Sequence, residues 1–264
     1  MTQLSPIQAS PIKAWLLPHR MVLLAFGLLL ALASIYFLRW DWLPDYGDLI
    51  LKGIWTTMWM LVVSCIIGFI LATALGFAQA AGPIYLAQPA LWFCTIIRGT
   101  PLLLQIWLLY YGLGSLFPQF PWIRESEFWP ILRQAWPYAL LSLSLSYAAY
   151  EGEIIRAAFL SVPKGQLEAA RAFGMPRHKI FTRIWFPQAI RSVLPTLGGE
   201  TILQLKATPL VATISVVEIY AVSSRVRSDT FITYEPLMLL AVIYIIIAAM
   251  IGIMFKYWER RIPN

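Results

Sequence analysis

The chain has 264 residues, 59% of them hydrophobic and only 12% charged, with a mean hydropathy of +0.70. Soluble domains carry about 25% charged residues, so the composition points to lipid and excludes a disordered chain or a secreted disulfide scaffold. The formal net charge of +7 then asks first on which side of a membrane the positive residues lie.

A hydrocarbon core takes about 20 apolar residues of helix, and six stretches meet that need. Residues 21–38 are uncharged. Lys13, Arg20 and Ala31-Leu32-Ala33 also fit a signal peptide, but the apolar run continues through Leu38, beyond the roughly 7–15 residues of a signal core, so a retained anchor is expected. Residues 54–80 are uncharged and carry Gly68, Ala72, Gly76 and Ala80 at spacing four, a small-residue stripe suited to close helix packing. Residues 84–123 contain Arg98. Gly99-Thr100-Pro101 splits them, because Thr suits a helix cap and Pro the first helical position. An interfacial helix over 84–97 then feeds a spanning helix over 101–116. Further spans are expected over 135–150, with room to extend through Arg156, over 194–217 around Glu200 and Lys206, and over 236–255. Cys65 and Cys94 sit in apolar runs and read as small packing residues. The twelve Trp and twelve Tyr suit interfacial belts.

With the N-terminus in the cytoplasm, thirteen of the 20 basic residues fall inside, together with Glu151, Glu153, Glu168 and Glu259. The other side holds six basic residues and eight acids. This is the positive-inside pattern and places both termini in the cytoplasm. The excess charge is then a topology signal, and no nucleic-acid partner is expected. The polar stretch 157–191 becomes the one large cytoplasmic loop, with Pro163 as a helix start and Gly174-Met175-Pro176 as a stop and restart.

That loop carries Glu168-Ala169-Ala170, then Gly174, Ile184, Phe186 and Pro187 at fixed offsets. The pattern resembles the EAA loop of ABC-importer permeases, with Phe186 where leucine is usual. Arg98-Gly99-Thr100-Pro101-Leu102 with Gln105, Ala149-Tyr150-Glu151, Ser161 to Gln166, Glu200 and Leu205-Lys206-Ala207-Thr208 are similar to permeases for polar amino acids and opines. Glu259-Arg260-Arg261 resembles the M-type member of paired permeases in the histidine, arginine and opine branch. The resemblance covers roughly residues 50–261. It departs at Ala207-Thr208-Pro209, where some relatives have Asp-Thr-Ser.

The resemblance implies an all-α membrane protein with six transmembrane helices: a five-helix type I permease core over 51–258 plus one N-terminal helix within residues 1–50, and a short tail over 259–264. It implies an importer subunit in a bacterial inner membrane, working by alternating access on polar, cationic amino acids or opines. Glu168, Ala169, Ala170, Gly174, Ile184 and Pro187 would couple it to an ATPase. The implied partners are two copies of an ATP-binding subunit, a second permease (a Q-type homologue or another copy of this chain) and a periplasmic solute-binding protein. No cofactor is expected here; ATP and Mg²⁺ would sit on the ATPase.

Charged residues within a span are functional candidates. Counting from Pro195 at about 1.5 Å per residue, Glu200 lies about 8 Å and Lys206 about 16 Å along the helix, on different faces. Each either ties its helix to neighbours around Pro209 or meets substrate. Glu200, Gln204 and Thr208 share a face at spacing four, as do Ser142, Ser146 and Tyr150. These stripes are the expected pathway walls, although serines in membranes also join helices.

The sequence has no phosphate-cradling loop. His19 and His178 are far apart, and no metal cluster or catalytic triad is assembled from the sequence. A membrane enzyme would need such a cluster. An ion-gradient-driven amino acid transporter is the other rival. It would have its sites in its own helices, often in an inverted repeat, and would leave the EAA-like loop without a purpose.

Overall fold

The computed structural model describes residues 22, 25, 27, 29 and 36–261, and all regular structure among them is helical. The chain divides into two compact units, Met1–Gly47 and Asp48–Asn264. In the first, Val22, Ala25, Gly27 and Leu29 are helical, as are Tyr36 and Phe37. Of the expected 21–38 segment, residues 21, 23, 24, 26, 28 and 30–35 lie outside the described residues. The Trp42 indole donates to the Arg39 carbonyl (3.0 Å), with Trp40 and Tyr46 against its ring.

Helix α1, Leu43–Ala81, is 39 residues long and starts eleven residues before the apolar run at Ile54. Hydropathy marks where lipid begins, and the polar turns before it, with Asp45 near the helix start, are equally able to be helical. Helix α2, Ile84–Gly99, is followed by α3, Leu102–Trp107, which continues through a π turn at Leu108–Leu113 and a 3₁₀ turn at Phe117–Gln119. The two arms meet at 105°, so the chain does break at the Gly99-Thr100-Pro101 corner. Thr100 is not the cap of α3. Its hydroxyl donates back to the Ile96 and Ile97 carbonyls (3.0 and 3.2 Å), closing α2, and Gln105 Nε2 braces the corner from α3 through Ile97 O (2.7 Å) and Thr100 O (3.0 Å).

Helix α4, Trp136–Ser161, is about 39 Å long at 1.5 Å per residue and takes up the extension through Arg156, ending five residues beyond it. Helices α5, Lys164–Ala172, and α6, Arg177–Ile180, form the loop. Helix α7, Phe186–Ala207, runs into a 3₁₀ segment at Thr208–Ile214 that ends on left-handed Ser215. Helices α8, Ile219–Thr230, and α9, Tyr234–Arg261, complete the chain. The loop expected over 157–191 is therefore shorter, because α4 and α7 extend into it from both sides.

Only α1 and α9 are long and apolar enough to cross a membrane outright among the described residues, and two bent pairs, Ile84–Gly99 with Leu102–Gln119 and Arg177–Ile214 with Ile219–Thr230, bring the total to at most four. Helix α4 misses that test through Glu151, Glu153 and Arg156. It is enclosed by protein instead of lipid: Ser142, Leu143, Ala148, Ala149 and Glu151 are fully buried. A count of six spans thus does not follow from length and apolarity. The small-residue stripe of α1 is where α4 packs. A Cβ added at Gly68 would lie 2.9 Å from Ser144 O, and one at Gly76 2.8 Å from Gly152 O.

Candidate functional site

Two features stand out: the loop and a cluster of charges within the helical bundle. In the loop, Pro163 precedes α5 with an extended ψ of 123°, its missing N–H costing nothing at a helix start. Glu168 is in the middle of α5, not at its start, and is exposed with Ala169. Leu167 and Ala170, on the opposite face, are buried. The helix ends in a double hydrogen-bonded turn, Met175 N–H to Ala170 O (3.1 Å) and Gly174 N–H to Arg171 O (2.9 Å), with Gly174 at φ +74°. This is the Schellman arrangement that glycine suits.

Leu167, Ala170 and Ile180 belong to one apolar cluster with Ala72 of α1, Ile155 and Phe159 of α4 and Ala189 of α7, and half-buried Ile184 packs on it. Phe77, Phe159, Phe181 and Trp185 interlock edge-to-face within it, and the Trp185 indole donates to Phe159 O (2.9 Å). Such ring pairs add about 0.5–1.5 kcal/mol each beyond burial. Pro187 begins α7 half-buried. The expected coupling residues therefore divide: Ala170 and Ile184 anchor the loop to the helices, while Glu168, Ala169 and Gly174 face outward. Phe173, which sequence reasoning did not single out, stands beside Gly174 at 90% exposure.

The charge cluster forms where the α2 corner meets α4. Glu153 Oε2 accepts Arg156 Nη2 (3.1 Å) and pairs with Arg98 Nη1 (3.7 Å). The Arg98 guanidinium lies 5.7 Å from the centre of the Tyr150 ring, within cation–π range. Glu200 of α7 lies within the electrostatic reach of Arg98, and fully buried Glu151 within that of Glu200. Glu153 Oε1 and both carboxylate oxygens of Glu151 are buried without a hydrogen-bond partner among the described residues. Tyr147 is the side-chain donor nearest Glu151, and its hydroxyl also shares a 3.2 Å hydrogen bond with Thr201. Buried polar groups without partners are rare enough that each asks for an explanation.

Of the expected pathway residues, the structure brings Glu200 and Tyr150 to this cluster. Ser142 donates to Tyr138 O (2.8 Å) within its own helix, and Ser146 is buried. Gln204 Nε2 donates to Ser64 Oγ (3.2 Å) and Leu143 O (3.0 Å), tying α7 to α1 and α4. Thr208 shares a hydrogen bond with the Tyr244 hydroxyl (3.1 Å). Lys206 is exposed on another face of α7. Glu153 and Arg156 were legible only as charges on the cytoplasmic side. A further signal was available: two acids, Glu151 and Glu153, close to the end of an otherwise uncharged run.

Three comparisons bear on identity. The octopine transport system permease protein OccM of Rhizobium radiobacter is 40% identical over 210 residues, covering 80% of this chain and 84% of that protein. The histidine/lysine/arginine/ornithine transport system permease protein HisM of Escherichia coli K12 is 32% identical over 210 residues, covering 79% and 87%. A crystal structure of an amino acid ABC transporter with histidines superposes with a TM-score of 0.71 at 28% identity, covering 85% of this chain and 99% of that one. The profile of the binding-protein-dependent transport system inner membrane component matches residues 72–264, and the chain belongs to that family.

Proposed function

We propose that this chain is the permease subunit of an ATP-driven importer for polar, cationic amino acids or opines, and that residues 51–258 form its translocation core. Both termini and the loop face the cytoplasm of a bacterium with this chain in its inner membrane. Two ATPase subunits bind the outward face of the loop and carry ATP and Mg²⁺. A second permease, homologous or identical, completes the path, and a periplasmic binding protein delivers substrate. Closure of the ATPases pushes on Glu168, Ala169 and Phe173. The Leu167–Ala170–Ile184 face transmits that push to α1, α4 and α7, because a close-packed cluster moves as a unit. Access then alternates between the two sides.

The observation that carries the substrate reading is the group of buried carboxylates on Glu151 and Glu153, with Glu200 within electrostatic reach of Glu151 and only Glu153 Oε2 held by cations. An ammonium or guanidinium group brings the donors these acceptors lack. Arg98, also in the cluster, supplies a cation for a substrate carboxylate. The names of the relatives, an octopine and a basic amino acid permease, support the same class.

Glu200→Gln keeps size and hydrogen bonding and removes the anion. Uptake of radiolabelled arginine is expected to fall about tenfold, the worth of one charge-assisted contact of about 1.5 kcal/mol, while the complex assembles and basal ATP hydrolysis persists. Dissociation of the complex in detergent would make Glu200 a structural tie. Unchanged uptake would remove it from the path.

A further inference from the structure

A groove of about 750 Å³ runs along the bundle between α1, α7 and α9. Ile66, Leu194, Leu197 and Met250 are among its walls. The two hydroxyl-bearing side chains that line it, Tyr147 and Thr201, bond to each other at 3.2 Å and leave its surface apolar. A groove of this kind asks for a hydrocarbon occupant.

Its dimensions favour one lipid leaflet. The lining residues extend from Met58 to Ile70 on α1, from Ile190 to Thr201 on α7 and from Ile247 to Trp258 on α9. Each stretch is about 16–18 Å of helix, close to half of the roughly 30 Å hydrocarbon core. One end is at mid-bundle. The other, at Ile190 and Trp258, is beside the start of α7 and the end of α9, the side on which the coupling loop lies. Trp258 is half-exposed there, as an indole at a lipid headgroup would be.

Charge at that end selects the headgroup. Arg191 follows Ile190 and is exposed. Arg261 is one turn past Trp258, on the same side of α9, with its guanidinium 4.6 Å from the Tyr257 ring centre. Glu259 is the one acid in that turn. We infer that the groove holds an acyl chain of an anionic phospholipid of the cytoplasmic leaflet, with Arg191 and Arg261 beside its headgroup. The choice of leaflet rests on the orientation proposed above.

The test uses the purified transporter complex, equilibrated with mixed phosphatidylglycerol and phosphatidylcholine and analysed by native mass spectrometry. The wild type should retain phosphatidylglycerol several-fold over phosphatidylcholine. Ile66→Trp and Met250→Trp enlarge exposed groove side chains and should cut retained lipid at least threefold. Arg191→Gln with Arg261→Gln should keep the lipid count and erase the preference. Unchanged retention in the tryptophan variants, or no preference in the wild type, overturns the inference. A photoreactive group at position 250 gives an answer even if those variants do not assemble. A lipid adduct is expected, and a crosslink to protein would reassign the groove to a permease–permease contact. Retention in detergent is independent of sidedness, so external labelling of a cysteine at 177 would refute the orientation and leave the lipid result standing.

Discussion

Gly174→Val is expected to abolish stimulated ATP hydrolysis and uptake while the chain still inserts into the membrane. Gly174 is at φ +74°, where a β-branched residue is a genuine outlier costing on the order of 1–3 kcal/mol. No atom within 4 Å opposes a Cβ there, so the effect acts through the backbone and not through a clash. The chain escapes the strain by unwinding the turn, which breaks the Met175–Ala170 and Gly174–Arg171 hydrogen bonds and displaces Phe173. Asn and Asp visit the left-handed region with less strain, so Gly174→Asn and Gly174→Asp should be milder than Gly174→Val. Phe173→Ala leaves the turn intact and removes an exposed ring of the type that anchors interfaces. It should weaken co-purification of the ATPase by about tenfold or more. A Gly174→Val variant with normal uptake would detach the loop from coupling.

Gly76→Leu is expected to do more general damage. A Cβ there would meet Gly152 O at 2.8 Å and Arg156 N at 2.9 Å, both backbone atoms that cannot rotate away. The leucine must push α1 off α4 exactly where Arg156 holds Glu153, so packing and the charge cluster are lost together. Overpacking costs typically 1–3 kcal/mol, which corresponds to a fall in melting temperature of about 2–6 °C for a chain of this size. Uptake should be lost as well. Gly252→Ala has open space around its Cβ and should leave both unchanged. An unshifted melting curve for Gly76→Leu would contradict the packing described between α1 and α4.

Much of this arrangement was legible in the sequence because it is local. The small-residue stripe gave the packed face of α1, and Gly-Met-Pro gave the turn after α5. Residues 236–255 located the start of α9 to within two residues and its end to within six. Hydropathy failed wherever helix and lipid part company. It started α1 late because the first turns are polar, and it ended the uncharged part of α4 at Tyr150, just before Glu151, Glu153 and Arg156, where Glu153 is paired by Arg156 of its own helix and by distant Arg98. The local rule for Thr100 favoured a cap on the following helix. Pro101, with an extended ψ of 134°, turns the chain sharply there, and the hydroxyl reaches back to α2 instead. The Arg98–Glu153–Arg156 group joins residues 55 positions apart, and the Gln204–Ser64 tie joins residues 140 apart. No spacing rule reaches such pairs. The same limit kept Phe173 out of view, since its exposure depends on which face of α5 is packed.

The central claim is that this chain conducts substrate only when a separate ATPase is at work. The most direct measurement is uptake of radiolabelled arginine into sealed proteoliposomes. They would hold the purified complex with its ATPase subunits, with the binding protein outside and ATP with Mg²⁺ inside. Uptake should require internal ATP, persist when ionophores collapse every ion gradient, and vanish when the ATPase subunits are omitted. Uptake driven by an ion gradient without ATP, from this chain alone, would contradict the account.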